Sequence, residues 1–260
     1  QDARRVADRL DIPFYAINFQ SEFRQIIEYF VEQYLHGRTP NPCVVCNHWL
    51  KFGKLFDYAD SVDAQFVATG HYARCRQMDD GTAWLERGVD DGKDQSYVLF
   101  GIAKERFRRM MLPIGGYQKA EIRQLAGQLG LQVAEKRDSQ EICFVTSGHH
   151  GEFVGARRGD KETAGNIVTT SGQIVGKHDG IERFTVGQRK GLGVAMGSPY
   201  FVVRIDPETC DVVIGPRDQL ARHELTAADT NWLIAPSGTS IRCQAQIRYN
   251  SPPAPAIATV

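Results

Sequence analysis

The chain has 260 residues, of which 42% are hydrophobic and 24% charged, an ordinary globular composition with room for two domains. Lysine plus arginine and aspartate plus glutamate both number 31, so the formal charge is zero and an acidic partner such as RNA would have to meet a local basic patch. Apolar runs fall far short of the roughly 18 to 20 residues that a membrane helix needs, and no signal segment opens the chain, so we expect a cytoplasmic protein without membrane contact.

The opening segment has the pattern of an α/β unit. Residues 4–10 have a helical period, and residues 13–19 form an apolar, aromatic-rich strand candidate. Together they predict the end of a parallel-sheet unit whose first strand precedes the chain. We therefore expect the sheet to be incomplete at its N-terminus.

A second helix is predicted from Ser21, whose hydroxyl can cap its first turn. Apolar residues then recur at spacings of three and four as far as Leu35, and Gly37 is a stop signal. This periodicity predicts a helix with one face in the core.

Two cysteines three positions apart follow, in the string R-T-P-N-P-C-V-V-C-N-H-W-L-K-F over residues 38–52. Asn41 can cap a helix that begins at Pro42, which would place Cys43 in the first turn and Cys46 one turn later on the same face. Unpaired amides at a helix N-terminus favour a thiolate, so either cysteine is a candidate nucleophile. The spacing alone also suits a metal half-site, a redox pair or two small buried residues.

A short strand is predicted over residues 66–69, and it runs into Gly70 and His71. Ligands in open α/β sheets gather beyond the carboxyl ends of strands, so a nucleotide or a base is expected at this turn. The alternative is that His71 is only a polar residue at a strand end.

Farther along, residues 84–87 predict a strand, and a helix is predicted over residues 119–129 with Gly130 as its stop. Lys93 leads into an apolar run over residues 96–102 that periodicity alone does not assign to helix or strand. By itself, the K-D-Q string there is typical of a helix start with solvated charges.

The composition changes near residue 147, where glycine, threonine, lysine and arginine become frequent and the helical period is lost. Short strand candidates alternate with turn signals from there on, including a hairpin over residues 200–215. We expect an α/β catalytic domain over residues 1–146, a small mixed central domain over 147–219 and the start of a C-terminal β-barrel over 220–260.

Five strings together resemble the tRNA-specific 2-thiouridylases. Besides the string around the cysteine pair, they are F-V-A-T-G-H-Y-A-R (66–74), K-D-Q-S-Y (93–97), D-S-Q-E-I-C-F (138–144) and G-Q-R-K-G-L-G (187–193). They fall in the family's order and span nearly the whole chain. The resemblance implies a PP-loop ATP pyrophosphatase-like fold, of the adenine nucleotide alpha hydrolase-like class, with a parallel sheet. It also implies ATP-dependent transfer of persulfide sulfur to the 2-position of the wobble uridine of tRNA.

The family carries an S-G-G-x-D-S loop for the ATP phosphates, and no such string occurs in this sequence. We therefore expect this chain to be inactive alone. The resemblance further implies Mg-bound ATP as a substrate, with tRNA and a sulfur-donor protein, either a cysteine desulfurase or a sulfur-relay protein, as partners.

The resemblance also implies roles for single residues. Cys46 and Cys143 correspond to the family's two catalytic cysteines, which are able to form a disulfide at the end of a turnover, and Cys143 carries the persulfide. Without the resemblance, Cys143 would be a small core residue in a strand-like run. Gly70 corresponds to an ATP contact. The positions that correspond to tRNA contacts are Asn41, Pro42, Cys43, His71, Lys93, Asp94, Gln95, Arg248 and Tyr249.

Two other functions stay open. Many family members carry aspartate where this chain has Cys43, so Cys43, Cys46 and Cys143 could hold three corners of an iron-sulfur cluster. Alternatively, the chain could be a non-catalytic RNA-binding module whose cysteines are structural. No second cysteine pair or histidine pair completes a zinc site, so no metal ligand is assigned beyond the cluster alternative.

Overall fold

The computed structural model describes residues 2–131, 133–135, 142–146 and 149–260. Residues 138–141 of the string D-S-Q-E-I-C-F, and the predicted boundary at residue 147, lie outside the described residues. The helices are α1 (Asp2–Leu10), α2 (Gln20–Leu35), α3 (Pro42–Val45), a π-helix (Cys46–Lys54), α4 (Leu55–Ser61), α5 (Lys119–Gln128) and α6 (His150–Gly155). The strands are β1 (Val67–Ala68), β2 (Ala73–Gln77), β3 (Ala83–Arg87), β4 (Met110–Met111), β5 (Gly165–Thr169), β6 (Ile174–His178), β7 (Phe201–Asp206), β8 (Asp211–Gly215), β9 (Ser240–Ala245) and β10 (Ala254–Thr259).

The chain forms two compact units, and each unit draws on segments that are distant in sequence. The first consists of Gln1–Gln20, Cys43–Asp138 and Asp229–Val260. The second consists of Ser21–Pro42 and Ser139–Ala228.

The first unit contains the predicted parallel pairing. Strand β1 pairs in parallel with β4, with Val67 opposite Met110, and β2 pairs with β3 as an antiparallel hairpin. The π-helix and α4 supply Phe52 and Phe56 to the core of this unit, where Phe107 is also buried. Apolar area removed from water at these aromatic side chains is the main stabilising contribution.

The predicted strand over residues 13–19 is wrong. These residues have no regular secondary structure, and Phe14 and Tyr15 are exposed. A strand is stable only when its backbone N–H and C=O groups pair with a neighbouring strand, and no described residue pairs with this segment.

Helix α2 begins one residue earlier than predicted, at Gln20, so Ser21 is not its cap. The backbone N–H of Gln20 donates to Asn18 Oδ1 at 3.0 Å, so the carboxamide of Asn18 satisfies an exposed amide at the helix start, the role that was predicted for Ser21. The predicted stop is confirmed: Gly37 has φ +68°, and a Cβ there would lie 3.1 Å from Ile205 Cγ2.

The second unit is built on a four-stranded sheet in the order β6, β5, β8, β7. Strands β5 and β8 are parallel and the other pairs antiparallel, and the hairpin predicted over residues 200–215 forms from β7 and β8. Ile167, Val202 and Ile214 are among its most buried side chains. Within the described residues the sheets are open ladders, and the predicted barrel start over residues 220–260 contributes the antiparallel pair β9 and β10. No helix of the described residues is long and apolar enough to cross a membrane.

Candidate functional site

The cysteine pair lies where a helix starts, as predicted. Helix α3 begins at Pro42, directly after Asn41, and Pro42 is buried while Asn41 is half-buried. Cys43 is exposed in this first turn, and Cys46 is half-buried. In the described structure neither cysteine forms a disulfide.

The helix changes type at Cys46. Residues Cys46–Lys54 form a π-helix, in which the backbone N–H of Leu55 donates to the carbonyl of Leu50, five residues earlier. A Cβ on Gly53 would lie 2.9 Å from the carbonyl oxygen of His48, so glycine is the residue this backbone accommodates. π-Helical turns are rare and occur frequently at functional sites.

Asn47, the residue after Cys46, anchors the π-helix. Its side chain is 2% exposed, and Nδ2 donates to the carbonyl of Val98 at 3.0 Å. Its Oδ1 is buried without a hydrogen-bond partner among the described residues. The start of the π-helix is thereby tied to the segment that follows Gln95.

His71 is held between two polar side chains just beyond the end of β1. Its Nδ1 lies 2.8 Å from Thr69 Oγ1, and its Nε2 lies 3.5 Å from Lys51 Nζ, which the π-helix provides. The side chain is buried and packs beside Phe52, with ring centroids 5.9 Å apart. Burial, and then the positive charge of Lys51, lower the pKa of His71 from 6.5 to about 4, so the ring is neutral at pH 7.

Gly70 precedes His71 and is exposed at the carboxyl end of β1. Among the described residues, a Cβ there would meet only Ile114 Cδ1, at 3.9 Å, so the backbone has open space beside it. This position fits contact with a nucleotide at a strand end.

The segment of Lys93, Asp94 and Gln95 is bound to the turn that carries His71. Gln95 Oε1 accepts from the N–H of Tyr72 at 2.9 Å, and the N–H of Gln95 donates to the carbonyl of Tyr72 at 2.8 Å. Lys93 is half-buried, and its N–H donates to the carbonyl of Asp90.

The Asp94 carboxylate holds its own loop together. Its Oδ1 accepts from the backbone N–H groups of Gly88 and Ser96, at 2.8 and 3.2 Å, and its Oδ2 accepts from Ser96 Oγ at 2.8 Å. Arg87 Nη1 lies 4.0 Å from the same carboxylate. Asp94 is therefore a structural acceptor, which its place in a solvated-looking string did not indicate.

Arg248 and Tyr249 are the last predicted tRNA contacts. Although they lie near the end of the chain, Tyr249 contacts the segment that contains Asp94. The Tyr249 hydroxyl donates to the carbonyl of Asp94 at 3.1 Å, and its ring meets that of Tyr97 edge-on at 6.0 Å. Gln246 Nε2 donates to the carbonyls of both Arg248 and Tyr249, at 3.2 and 3.0 Å. The first unit thus brings together three sequence-distant segments.

Cys143 belongs to the second unit and is exposed, contrary to the expectation of a core residue in a strand. It lies in a turn that the N–H of Val145 closes by donating to the carbonyl of Ile142 at 2.9 Å. The next residue, Phe144, packs edge-on against Phe30 with ring centroids 5.2 Å apart. The apolar neighbours of Cys143 are therefore core anchors, while its own thiol is left at the surface.

The iron-sulfur alternative gains no support from the arrangement. Across the described ranges, no group of three or more His, Cys, Asp or Glu side chains has a geometry that could hold a metal ion. We therefore derive no chemistry through a cluster.

Sequence reasoning missed three side chains of this site. Asn47 and Lys51 lie one and five positions after Cys46, and Thr69 lies two positions before His71. The spacing of Lys51 from Cys46 would have been a signal only if the helix was known to be π-helical, since an α-helix places positions five apart on different faces. The burial of Asn47 and the contact of Thr69 with His71 depend on tertiary packing.

Two family models match the chain. One, described as a tRNA methyl transferase HUP domain, covers residues 1–147, and the other, a tRNA methyl transferase PRC-barrel domain, covers residues 151–216. The HUP domain is the PP-loop type of nucleotide-binding α/β fold, so the predicted fold class is confirmed.

Curated relatives cover nearly the whole chain. A protein of Rhodopirellula baltica is 57% identical over 98% of this chain and 64% of its own length. Proteins of Carboxydothermus hydrogenoformans and Geotalea uraniireducens are each 48% identical over 98% of this chain, and 71% and 68% of their own lengths. All three are named tRNA-specific 2-thiouridylase MnmA, and this chain spans about two thirds of their length. The chain belongs to the tRNA-specific 2-thiouridylase family.

Proposed function

We propose that the protein transfers sulfur to the 2-position of the wobble uridine of tRNA, in an ATP-dependent reaction that uses a persulfide on Cys143. The observation that carries the proposal is the pair of cysteines in their different settings. Cys46 lies half-buried at the start of the π-helix whose Lys51 contacts His71, whereas Cys143 is exposed on an anchored turn.

Exposure of Cys143 suits the first step. A donor protein must bring a persulfide sulfur to the Cys143 thiolate, which attacks the donor's outer sulfur and displaces the donor's cysteine thiolate. A buried thiol would be out of reach of another protein. The turn between Ile142 and Val145 presents the thiol while Phe144 and Val145 hold its backbone in place.

The thiols of Cys46 and Cys143 are sufficient to move one sulfur atom from the persulfide to the uridine. ATP would adenylate the uracil 2-oxygen and release pyrophosphate, so that the oxygen can leave as AMP, and Gly70 is the residue of this chain that would contact the nucleotide. In one order the terminal sulfur of the Cys143 persulfide attacks carbon 2 and displaces AMP, and Cys46 then attacks Cys143 Sγ, which breaks the sulfur–sulfur bond and leaves the sulfur on the uridine. In the other order Cys46 attacks Cys143 Sγ first, and the released sulfide attacks carbon 2 and displaces AMP. In either order Cys46 ends in a disulfide with Cys143, and an external thiol must reduce it before the next turnover.

The other residues would bind RNA. Base flipping brings a wobble base out of its stack, and Asn41, Pro42, Cys43 and His71 would line its pocket. Lys93 and Arg248 would contact phosphates, and the aromatic ring of Tyr249 would offer a stacking face.

Mass spectrometry of wobble uridine tests the proposal. The full-length gene, with Cys143 intact or as Cys143→Ser, is expressed in cells that lack their own 2-thiouridylase. We expect the mass gain of a sulfur-for-oxygen exchange only with Cys143 intact, and the same loss with Cys46→Ser.

The exposed Cys243 provides the matched control, and Cys243→Ser should retain thiolation. Equal thiolation with Cys143→Ser would remove the persulfide mechanism. A mass gain equal to a methyl group would instead support the activity that the family descriptions mention. No change of uridine with the intact gene would leave an RNA-binding module.

A further inference from the structure

The two contacts of His71 differ in kind. Thr69 Oγ1 lies 2.8 Å from Nδ1, a short and partly buried hydrogen bond. Lys51 Nζ lies 3.5 Å from Nε2, at the outer limit for a hydrogen bond, and Lys51 is exposed. The hydrogen bond to Thr69 is therefore the permanent one, while the contact with Lys51 is weak enough for another donor to replace it.

These contacts assign the tautomer of His71. A lysine ammonium has three donors and no acceptor, so the Nε2 atom that faces it must present its lone pair. The proton of the neutral ring then lies on Nδ1 and is donated to Thr69 Oγ1. Burial of the ring favours this neutral form, and the charge of Lys51 acts in the same direction.

The acceptor lies where a ligand is expected. His71 follows the carboxyl end of the parallel strand β1 and the exposed Gly70, whose surroundings are open. Ligands of open α/β sheets bind beyond such strand ends. A base that binds beyond this strand end and displaces Lys51 from Nε2 would meet a neutral ring nitrogen able to accept one hydrogen bond.

Uracil and cytosine differ at N3, the atom that the His71 Nε2 acceptor would meet. Uracil carries a hydrogen on N3 and donates from it, whereas N3 of cytosine is an unprotonated acceptor. Two lone pairs that face each other repel and leave both groups without a hydrogen bond, which costs the complex that bond. A fixed Nε2 acceptor therefore favours uracil.

We infer that His71 is a specificity-determining residue that accepts a hydrogen bond from uracil N3–H, and that Thr69 is a positioning residue that fixes the required tautomer. Lys51 occupies the acceptor until the base arrives. This inference rests on the proposed function, since it concerns the base that the site takes up.

The π-helix explains how Lys51 reaches this place. A π-helix has more residues per turn than an α-helix, so positions five apart lie near one face instead of far around the helix. Cys46 and Lys51 are five apart and both belong to the π-helix. The backbone that starts at the predicted nucleophile therefore also delivers the cation that covers His71.

Binding to two transcripts of one tRNA, with uridine or cytidine at the wobble position, tests the inference in the full-length protein. We expect the wild type to prefer uridine by about tenfold, the scale of one lost hydrogen bond. In His71→Phe, which keeps a ring but has no acceptor, the preference should fall to within about twofold. His71→Gln, whose amide oxygen can accept near the Nε2 position, should retain part of it.

Thr69 has its own matched pair of variants. Thr69→Val removes the hydroxyl at constant shape and should lower the preference, while Thr69→Ser should keep it. In ¹⁵N spectra at pH 7, His71 should be a single Nδ1–H tautomer in the wild type and a mixture in Thr69→Val. A preference for uridine that is unchanged in both His71→Phe and Thr69→Val, with native circular dichroism, would overturn the inference.

Thiolation of the uridine transcript, measured in parallel by mass spectrometry, separates the two proposals. If the wild type binds with the uridine preference but does not thiolate, the proposed function fails and the base-selection inference stands. If it thiolates but the variants keep the full preference, the inference fails alone.

Discussion

The hydroxyl of Tyr249 donates to the backbone carbonyl of Asp94 across 155 positions of the chain, at 3.1 Å. The donor follows β9 near the end of the chain, and the acceptor lies in the loop that Gln95 binds to Tyr72. A loop next to the His71 turn is thus stabilised from the far end of the sequence.

Tyr249→Phe should weaken tRNA binding by a few-fold and leave the fold intact. The variant loses one hydrogen bond, worth about 0.5 to 1.5 kcal/mol, but keeps the ring that meets Tyr97. Tyr249→Ala should weaken binding further, because the edge-on ring contact is lost as well. Filter binding and circular dichroism measure both effects. Equal affinity of the wild type and the alanine variant would show that this contact has no part in RNA binding.

Gly53→Ala should lower the free energy of unfolding by about 1 to 3 kcal/mol, since the added Cβ would lie 2.9 Å from the His48 carbonyl oxygen and the helix must shift. Helix propensity alone predicts the opposite sign, a gain of about 1 kcal/mol.

Gly127 is the control for this change, because it lies in α5 and a Cβ added there would meet no heavy atom of the described part of the chain within 4 Å. Gly127→Ala should therefore stabilise the protein by the propensity difference. Urea unfolding gives the free energy of unfolding of both variants. If Gly53→Ala stabilised the protein, the π-helix would impose no steric demand at position 53.

Acid should destabilise the fold between about pH 6.5 and pH 4. The pKa of His71 is lowered to about 4, chiefly by burial and then by Lys51, and that of His150 is lowered to about 4 by burial and then by the charge of His149. In this window the unfolded chain binds protons that the folded chain does not, so stability is complete above pH 6.5 and is lost as the pH falls. The buried His71 contributes on the order of 3 kcal/mol, and the half-buried His150 contributes less because solvent screens it.

The midpoint of urea unfolding, measured at pH 7 and at pH 5, tests whether stability falls with pH as expected. His71→Gln should reduce the difference between the two midpoints, and His223→Gln, at an exposed position, should leave it unchanged. A midpoint that rises as the pH falls would contradict the burial of neutral histidines.

Local signals predicted much of the secondary structure correctly. The start of α3 at Pro42, the stops at Gly37 and Gly130, and the hairpin of β7 and β8 all depend on residues close in sequence. Proline at a first helical position and glycine at positive φ act through the conformation of one residue, so no distant contact is needed. The strand over residues 13–19 failed for the converse reason, since pairing requires a partner that sequence periodicity does not supply.

Sequence by itself determined the family, through five strings that hold both cysteines and the His71 turn, and it determined where α3 starts. Only the tertiary structure decided that Cys143 is exposed, that the helix after Cys46 is π-helical, and that Lys51 and Thr69 flank His71. Exposure and hydrogen bonding depend on which distant groups meet in the folded chain. An i,i+5 backbone pattern likewise arises from steric and packing demands, such as those at Gly53 and Asn47, that the hydrophobic period of the sequence does not record.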